Sequence, residues 1–512
     1  MMLARPSTVA PAIAVALFVS GQPSAWAASC ESLASYALAD MTVSSAQTVA
    51  AGAFRPPVPG AAAAATTPRF DDLSAFCRVT ATVKRQGDTD VKIEVWMPAQ
   101  GWNGDFQPAA SGFAGGAITY GGMAQVLRRG AATANTNRGH DGGGPWKLSD
   151  MGHLPYHLMV ERSKALIGAY YGSWPKLTLM NECGGGGSRD ALMEIQNWPG
   201  DLDVAAAVGI VYHSTHHGIA QMWVYQATHK SEANYIPPSK YPLIHGAALD
   251  ACDLKDGVKD GVITDPPRCA FDPGVLLCKG GDAPTCLTAP QVEAARKIYS
   301  PPVDPRTKKR LYAAMVPGGE LGWEAMAGPN PYPYAPGFYR NAVFDQNWDY
   351  KTRPVNFDVD VDRADRPENL VINANNPDIS KFIARGGKLL LAGGWGEHTL
   401  APGGNVDYYE SIVAKLGAAK VRDSVRLFMV PAMDHCFGES YPTAPTVNLD
   451  VVGLLKEWKA SGKAPDQVIV SESVPGRVAE RKRLVCAYPQ VAQYRGSGST
   501  EDPSSFVCRS PQ

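Results

Sequence analysis

The chain has no surplus of charge of either sign: 48 Lys and Arg stand against 49 Asp and Glu, a formal net charge of −1 over 512 residues. Without a basic excess there is little to neutralise a run of phosphates, so nucleic acid is not an expected partner. Long hydrophobic runs are missing too. The apolar stretch at residues 10–19 is too short to cross about 30 Å of hydrocarbon as a helix, and no later stretch is longer, so no membrane partner is expected. That stretch follows Arg5 and precedes Ala25-Trp26-Ala27. Charge, apolar run and small-residue site in this order are those of a secretory signal peptide, residues 1–27, with a mature chain starting near Ala28. Also absent is any Cys-x-x-Cys pair or Cys/His cluster at zinc spacing. The ten cysteines therefore read as five disulfides formed in an oxidising, secreted or periplasmic compartment, with the pairing left open by the residues themselves.

An apolar share of 45% excludes wholesale disorder, and 51 glycines and 41 prolines point to many loops around a packed body. Residues 56–68 form a Pro/Gly/Ala-rich flexible run, and residues 79–83 and 91–97 are strand-like. A helical pattern from Asp150 reaches Tyr171-Gly172. A short apolar stretch, 177–180, then runs into Cys183-Gly-Gly-Gly-Gly-Ser188, with a second helix at 190–197. Strand, tight glycine turn and helix in that order make the nucleophile elbow of an α/β-hydrolase, a sharp turn that lifts one side chain above the sheet. Further strand-like runs at 388–392 and 425–430 follow, the second leading into Pro431-Ala-Met-Asp-His435-Cys436. The fold class is α/β, with an α/β-hydrolase core in two parts, 28–210 and 374–512. The Pro-, Tyr-, Trp- and Cys-rich residues 211–373 do not alternate strand and helix and read as an inserted lid.

Cys77-Arg-Val, Glu94-Val-Trp96, Trp102-Asn-Gly104, Ser111-Gly-Phe-Ala-Gly115, Ala169-Tyr-Tyr-Gly172, Ala191-Leu-Met-Glu194, Glu320-Leu-Gly-Trp323, Gly386-Gly-Lys-Leu389, Tyr408-Tyr-Glu410 and His435-Cys436 span nearly all of the mature chain. In these motifs the chain resembles the tannase and feruloyl esterase family, secreted α/β-hydrolases that include enzymes cleaving mono(hydroxyethyl) terephthalate. The resemblance implies a catalytic sheet with a lid and acyl transfer through a Ser-His-Asp triad. It also implies a disulfide from the cysteine before the nucleophile to the one after the histidine, Cys183 to Cys436, and pairs Cys30 with Cys77, Cys252 with Cys269, Cys278 with Cys286 and Cys486 with Cys508.

Against that pattern the serine itself is missing. Directly after Cys183 stands Gly184, and counting back from Leu192 the position falls on Gly185, so either alignment gives a residue with no atom to attack a carbonyl. The acid position reads Gly394-Trp-Gly-Glu397, a Glu in place of Asp, and His435 is intact. Three readings follow: Ser188 as a displaced nucleophile, a role that competes with N-capping the 190–197 helix; a His435-Glu397 pair acting as general base on substrate or water; or a binder of aryl compounds that keeps only the pocket. Glu182 and His398 are further polar residues beside these motifs. By resemblance, Gly112 in Ser111-Gly-Phe113 and Gly185 supply the amides of an oxyanion hole; the plain alternative is a strand-end turn. His213, His216 and His217 read either as metal ligands or as a polar helix surface. Asp253, Asp256, Val258, Asp260 and Val262 match the calcium-loop pattern of related lids, which implies a structural Ca²⁺, with a solvated loop as the alternative. Trp323, Tyr332, Tyr334, Phe338 and Tyr339 either line a pocket for a small aromatic substrate or pack the lid's own core.

Overall fold

The computed structural model describes residues 28–57, 69–85, 90–110, 112, 116–140, 146–152, 154–439, 442, 444–474 and 479–511. The signal-peptide expectation, most of the 56–68 run, and Ser111 and Phe113 lie outside the described residues.

Nine strands form the main sheet: β1 (Met41–Val49), β2 (Phe76–Val83), β3 (Val91–Pro98), β4 (Asp105–Pro108), β5 (Ala132–Thr136), β6 (Leu177–Cys183), β7 (Val204–Val208), β8 (Lys388–Gly394) and β9 (Val425–Val430). Their spatial order is β1-β2-β3-β5-β4-β6-β7-β8-β9. Pairings from β1 to β5 through β2 and β3 are antiparallel, and every pairing from β5 onward is parallel. The sequence accounts for the change. The antiparallel strand β2 alternates buried and half-buried positions, whereas β7 (VAAAV) and β9 (VRLFMV) are buried at every residue, as a parallel strand covered on both faces requires.

The two faces carry separate cores. Helix α1 (Tyr120–Arg128) joins β4 to β5; helices α2 (Leu154–Tyr171) and α3 (Gly184–Asn197) and the helix Gly403–Leu416 contribute Ile167, Leu192 and Ile412 to one core, while the helix Val451–Ser461 brings Leu455 and Trp458 to the other. The expected strands at 79–83, 91–97, 177–180, 388–392 and 425–430 are all present. The expected 190–197 helix is corrected: α3 begins six residues earlier, at the first glycine of the turn.

Between β7 and β8 the chain adds helices and short turns but no strand of the main sheet, among them α4 (Ser214–Thr228), α5 (Tyr241–Cys252) and α6 (Ala289–Ile298). This insertion has its own apolar clusters, packed on either side of α4. Trp323, Phe338 and Tyr339 are at most 1% exposed within those clusters, so the pocket reading is corrected for these three; Tyr332 and Tyr334 remain half-buried. All five disulfides pair as the resemblance implied. No helix among the described residues is long and apolar enough to cross a membrane.

Candidate active site

Parallel strands deliver their loops to one edge, and three of those loops meet here. β6 leads into the elbow, β8 into Glu397 and β9 into His435. At the elbow Gly184 has φ +74°, a left-handed conformation that costs an L side chain about 1–2 kcal/mol. The backbone of a nucleophile elbow is therefore retained. A Cβ on Gly184 would lie 2.7 Å from His435 Nε2, whereas one on Gly185 would meet Val211. Of the two glycines, Gly184 is the one that faces the His435 ring, and Gly185 follows it. A side chain at 184 would therefore meet the His435 ring unless the ring shifted.

His435 Nδ1 donates to Glu397 Oε2 at 2.6 Å. The other carboxylate oxygen, Oε1, accepts from Thr399 N and Thr399 Oγ1, each at 2.8 Å, and from Leu400 N at 3.2 Å. Burial by itself raises a carboxyl's pKa, but the His435 charge and these hydrogen bonds outweigh it and hold Glu397 at about 2. Burial likewise opposes a charged imidazole, and the Glu397 carboxylate overrides it, raising His435 to about 9. At neutral pH the pair is an imidazolium facing a carboxylate. The Cys183–Cys436 disulfide ties the residue before the elbow to the residue after the histidine.

A second imidazole-carboxylate pair lies alongside. His398 Nδ1 is bonded to Asp434 Oδ1, and ligating atoms of Glu397, His398 and Asp434 lie within 4.8 Å of one another. Burial opposes a charged His398, but Asp434 raises its pKa; burial raises Asp434 against the pull of His398. Sequence reasoning missed Asp434, although its place directly before His435 was the available signal. Under the elbow, Glu182 Oε1 accepts from Ala110 N at 2.9 Å, and burial pushes this carboxyl up to about 8, so at neutral pH it is largely protonated. Gly187 makes room for it, since a Cβ there would sit 2.9 Å from Glu182 Oε2. Gly112 and Gly185, the expected oxyanion residues, each follow the end of one of two paired strands, β4 and β6.

Over residues 77–509 the sequence matches the family model described as tannase and feruloyl esterase. The chain belongs to the tannase and feruloyl esterase family. It is 35% identical to an uncharacterized esterase of Xanthomonas campestris, covering 94% of this chain and 91% of that one. To mono(2-hydroxyethyl) terephthalate hydrolase of Piscinibacter sakaiensis it is 29% identical, covering 96% and 93%. The crystal structure of feruloyl esterase B from Aspergillus oryzae matches with a TM-score of 0.82 at 26% identity, covering 94% and 99%. The α/β-hydrolase fold is shared with these relatives, and the chain is an ester hydrolase in kind.

Within this tannase and feruloyl esterase family member, the remaining expected residues divide. Ser188 is fully buried one turn inside α3, where its hydroxyl faces Gly184 O at 2.8 Å and Gly209 O at 3.3 Å. The N-cap of α3 is Cys183, so the capping expectation for Ser188 is corrected. The histidines of α4 do not form a polar surface. His217 is 3% exposed, stacks on Tyr334 with ring centroids 5.1 Å apart, and is pushed down to about 3 by burial. It senses the charges of Glu397 and His435, while His213 and His216 gather elsewhere with Asp365.

The acidic loop of the insertion is held by its own amides. Asp253 accepts from Asp260 N and Gly261 N, and Asp256 from Val258 N and Thr264 Oγ1. Asp260 Oδ2 pairs with the Arg481 and Arg483 guanidinium groups, and Asp260 Oδ1 is buried without a hydrogen-bond partner. An oxygen-only donor set with one orphaned buried carboxylate oxygen fits Ca²⁺ chemistry. The two arginines are a competing source of positive charge at the same residue.

Proposed function

We propose that the protein hydrolyses a carboxylic ester of an aromatic, phenolic compound, with water as the attacking group and His435 as its base. Neutral His435 takes a proton at Nε2 from water, and the oxygen forms a bond to the ester carbonyl carbon. The amides of Gly112 and Gly185 receive the resulting oxyanion. As the carbonyl re-forms, the ester C–O bond breaks and the imidazolium returns the proton to the leaving alkoxide. Glu397 holds the ring in its tautomer and balances the transient charge. The carrying observation is the 2.7 Å between the Cβ position of Gly184 and His435 Nε2: the imidazole reaches the elbow, where a glycine offers no side chain to attack.

An aromatic substrate is supported by two half-buried rings of the insertion, Tyr332, within reach of the Glu397 and Asp434 charges, and Tyr334, stacked on His217, and by the feruloyl and terephthalate compounds in the relatives' names. In this reading the insertion is the lid, with Asp253, Asp256, Asp260 and the carbonyls of Val258 and Val262 holding a structural Ca²⁺. Five disulfides fit export to an oxidising compartment. General-base catalysis supplies about 10²- to 10⁴-fold. A screen of aryl esters with wild type and His435→Ala tests the proposal: a rate above solution that disappears in the variant supports it, and equal rates in both sink it.

A further inference from the structure

His213 is the N-cap of α4 and His216 sits in its first turn, a spacing that turns both rings to one side. Their ring centroids are 3.8 Å apart at 62°. Asp365 reaches them from just past the short helix Asp360–Ala364, 149 residues along the chain. The ligating atoms of the three residues lie within 4.8 Å of one another, and all three are half-buried, within reach of solvent.

The ring of His216 is over-supplied with acceptors. Nδ1 is 2.7 Å from Leu311 O, and Nε2 is 2.9 and 2.8 Å from the two oxygens of Asp365. A carbonyl oxygen only accepts, so Nδ1 carries a proton. The Nε2 lone pair then faces a carboxylate, which is repulsive unless a second proton or a metal cation stands between them. An imidazole that donates Nδ1–H to a backbone carbonyl and offers Nε2 is the arrangement that orients a metal-ligating histidine. Asp365 is oriented in turn, since Thr215 Oγ1 donates to its Oδ1 at 3.3 Å.

We propose that His213, His216 and Asp365 bind a divalent transition-metal cation of the Zn²⁺ type. Two imidazoles and one carboxylate suit such a cation and are a poor set for Ca²⁺, which takes oxygen ligands. Three protein ligands leave a coordination position for water. The cation would pin the start of α4 to the distant segment at Asp365, while the His216 Nδ1–H bond to Leu311 O holds the ring in place. The same first turn of α4 carries His217, which senses His435 and Glu397, so the cation would also fix how the insertion meets the catalytic edge.

The test is a Co²⁺ titration of the full chain after dialysis against chelator, followed by visible absorption, with Zn²⁺ as competitor. Wild type is expected to take up one equivalent with a ligand-field band that Zn²⁺ displaces. In His213→Gln and Asp365→Asn the affinity falls by more than the roughly 10- to 100-fold typical of losing an outer-shell partner. His213→Gln leaves the His216–Asp365 contact in place and serves if Asp365→Asn does not fold. His157→Gln, beside Glu194 and Asp201 in another group of ligating side chains, is expected to titrate like wild type. No band in wild type overturns the proposal and leaves His216 and Asp365 an ordinary ion pair. A band that survives in His213→Gln, or one lost in His157→Gln, overturns it equally.

Discussion

A serine restored at position 184 meets two obstacles of different kinds. The left-handed backbone costs about 1–2 kcal/mol, a strain that elbow serines bear. The Cβ, 2.7 Å from His435 Nε2, is the larger problem, because the ring retreats only by disturbing its 2.6 Å bond to Glu397. Gly184→Ser is therefore expected to fold but to lower kcat/KM for aryl esters and to react poorly with a fluorophosphonate probe. Fast labelling of the introduced hydroxyl would show that His435 withdraws freely. Ser188→Ala is expected to leave turnover unchanged and to cost about 1 kcal/mol in denaturant unfolding, since its hydroxyl serves the backbone.

The protonation of His435 gives a pH prediction at the same scale. A base works only when unprotonated, and Glu397 holds the imidazole's pKa at about 9, so kcat/KM should climb from pH 6 through about pH 9 and then level. Glu397→Gln removes the charge that raises the pKa, so the midpoint should move down and the plateau should fall. For stability the sign is that of a raised histidine. The pair's contribution is full below the unfolded imidazole's pKa and is lost as pH rises through about 9.

At the scale of elements, the strands before the site were legible because parallel strands buried on both faces leave continuous apolar runs, as in β9. The start of α3 was not, because four glycines carry no helix signal, and the hydrophobic pattern begins only at Ala191. That is why Ser188 read as a cap when it lies inside the helix. Glu182 links two elements, binding the amide just beyond β4 from the end of β6, and its partner is 72 residues away. Its carboxyl is pushed up to about 8, so the folded state's hold on the proton weakens stability as pH rises from the unfolded range near 4.5 through 8. Glu182→Gln should thus raise the melting temperature relative to wild type at pH 9, with little difference at pH 5. An equal shift at both pH values would show that the carboxyl ionises freely.

For the whole molecule, the resemblance in sequence supplied the fold, the His435–Glu397 pair and all five disulfides, because these rest on residues next to recognisable motifs. Contacts between distant segments were out of reach: Asp365 joins His216 across 149 residues, and Arg481 joins Asp260 across 221. Aromatic content in the insertion was visible, but the division between core rings such as Trp323 and half-buried ones such as Tyr332 depends on packing. The proposed Ca²⁺ site at Asp253, Asp256 and Asp260 is the whole-molecule test of stability. A bound Ca²⁺ at 100 times its Kd contributes about 2.7 kcal/mol, so EDTA should lower the melting temperature and added Ca²⁺ should restore it. No response to EDTA would mean that Arg481 and Arg483 alone balance Asp260.

The proposed chemistry cleaves the ester without a covalent intermediate on a serine. Intact-mass spectrometry of the wild-type protein, acid-quenched while it turns over an aryl ester, tests this most directly. Product is expected to form with the protein at its unmodified mass at every time point. A population heavier by the acyl group, formed and discharged during turnover, would contradict it.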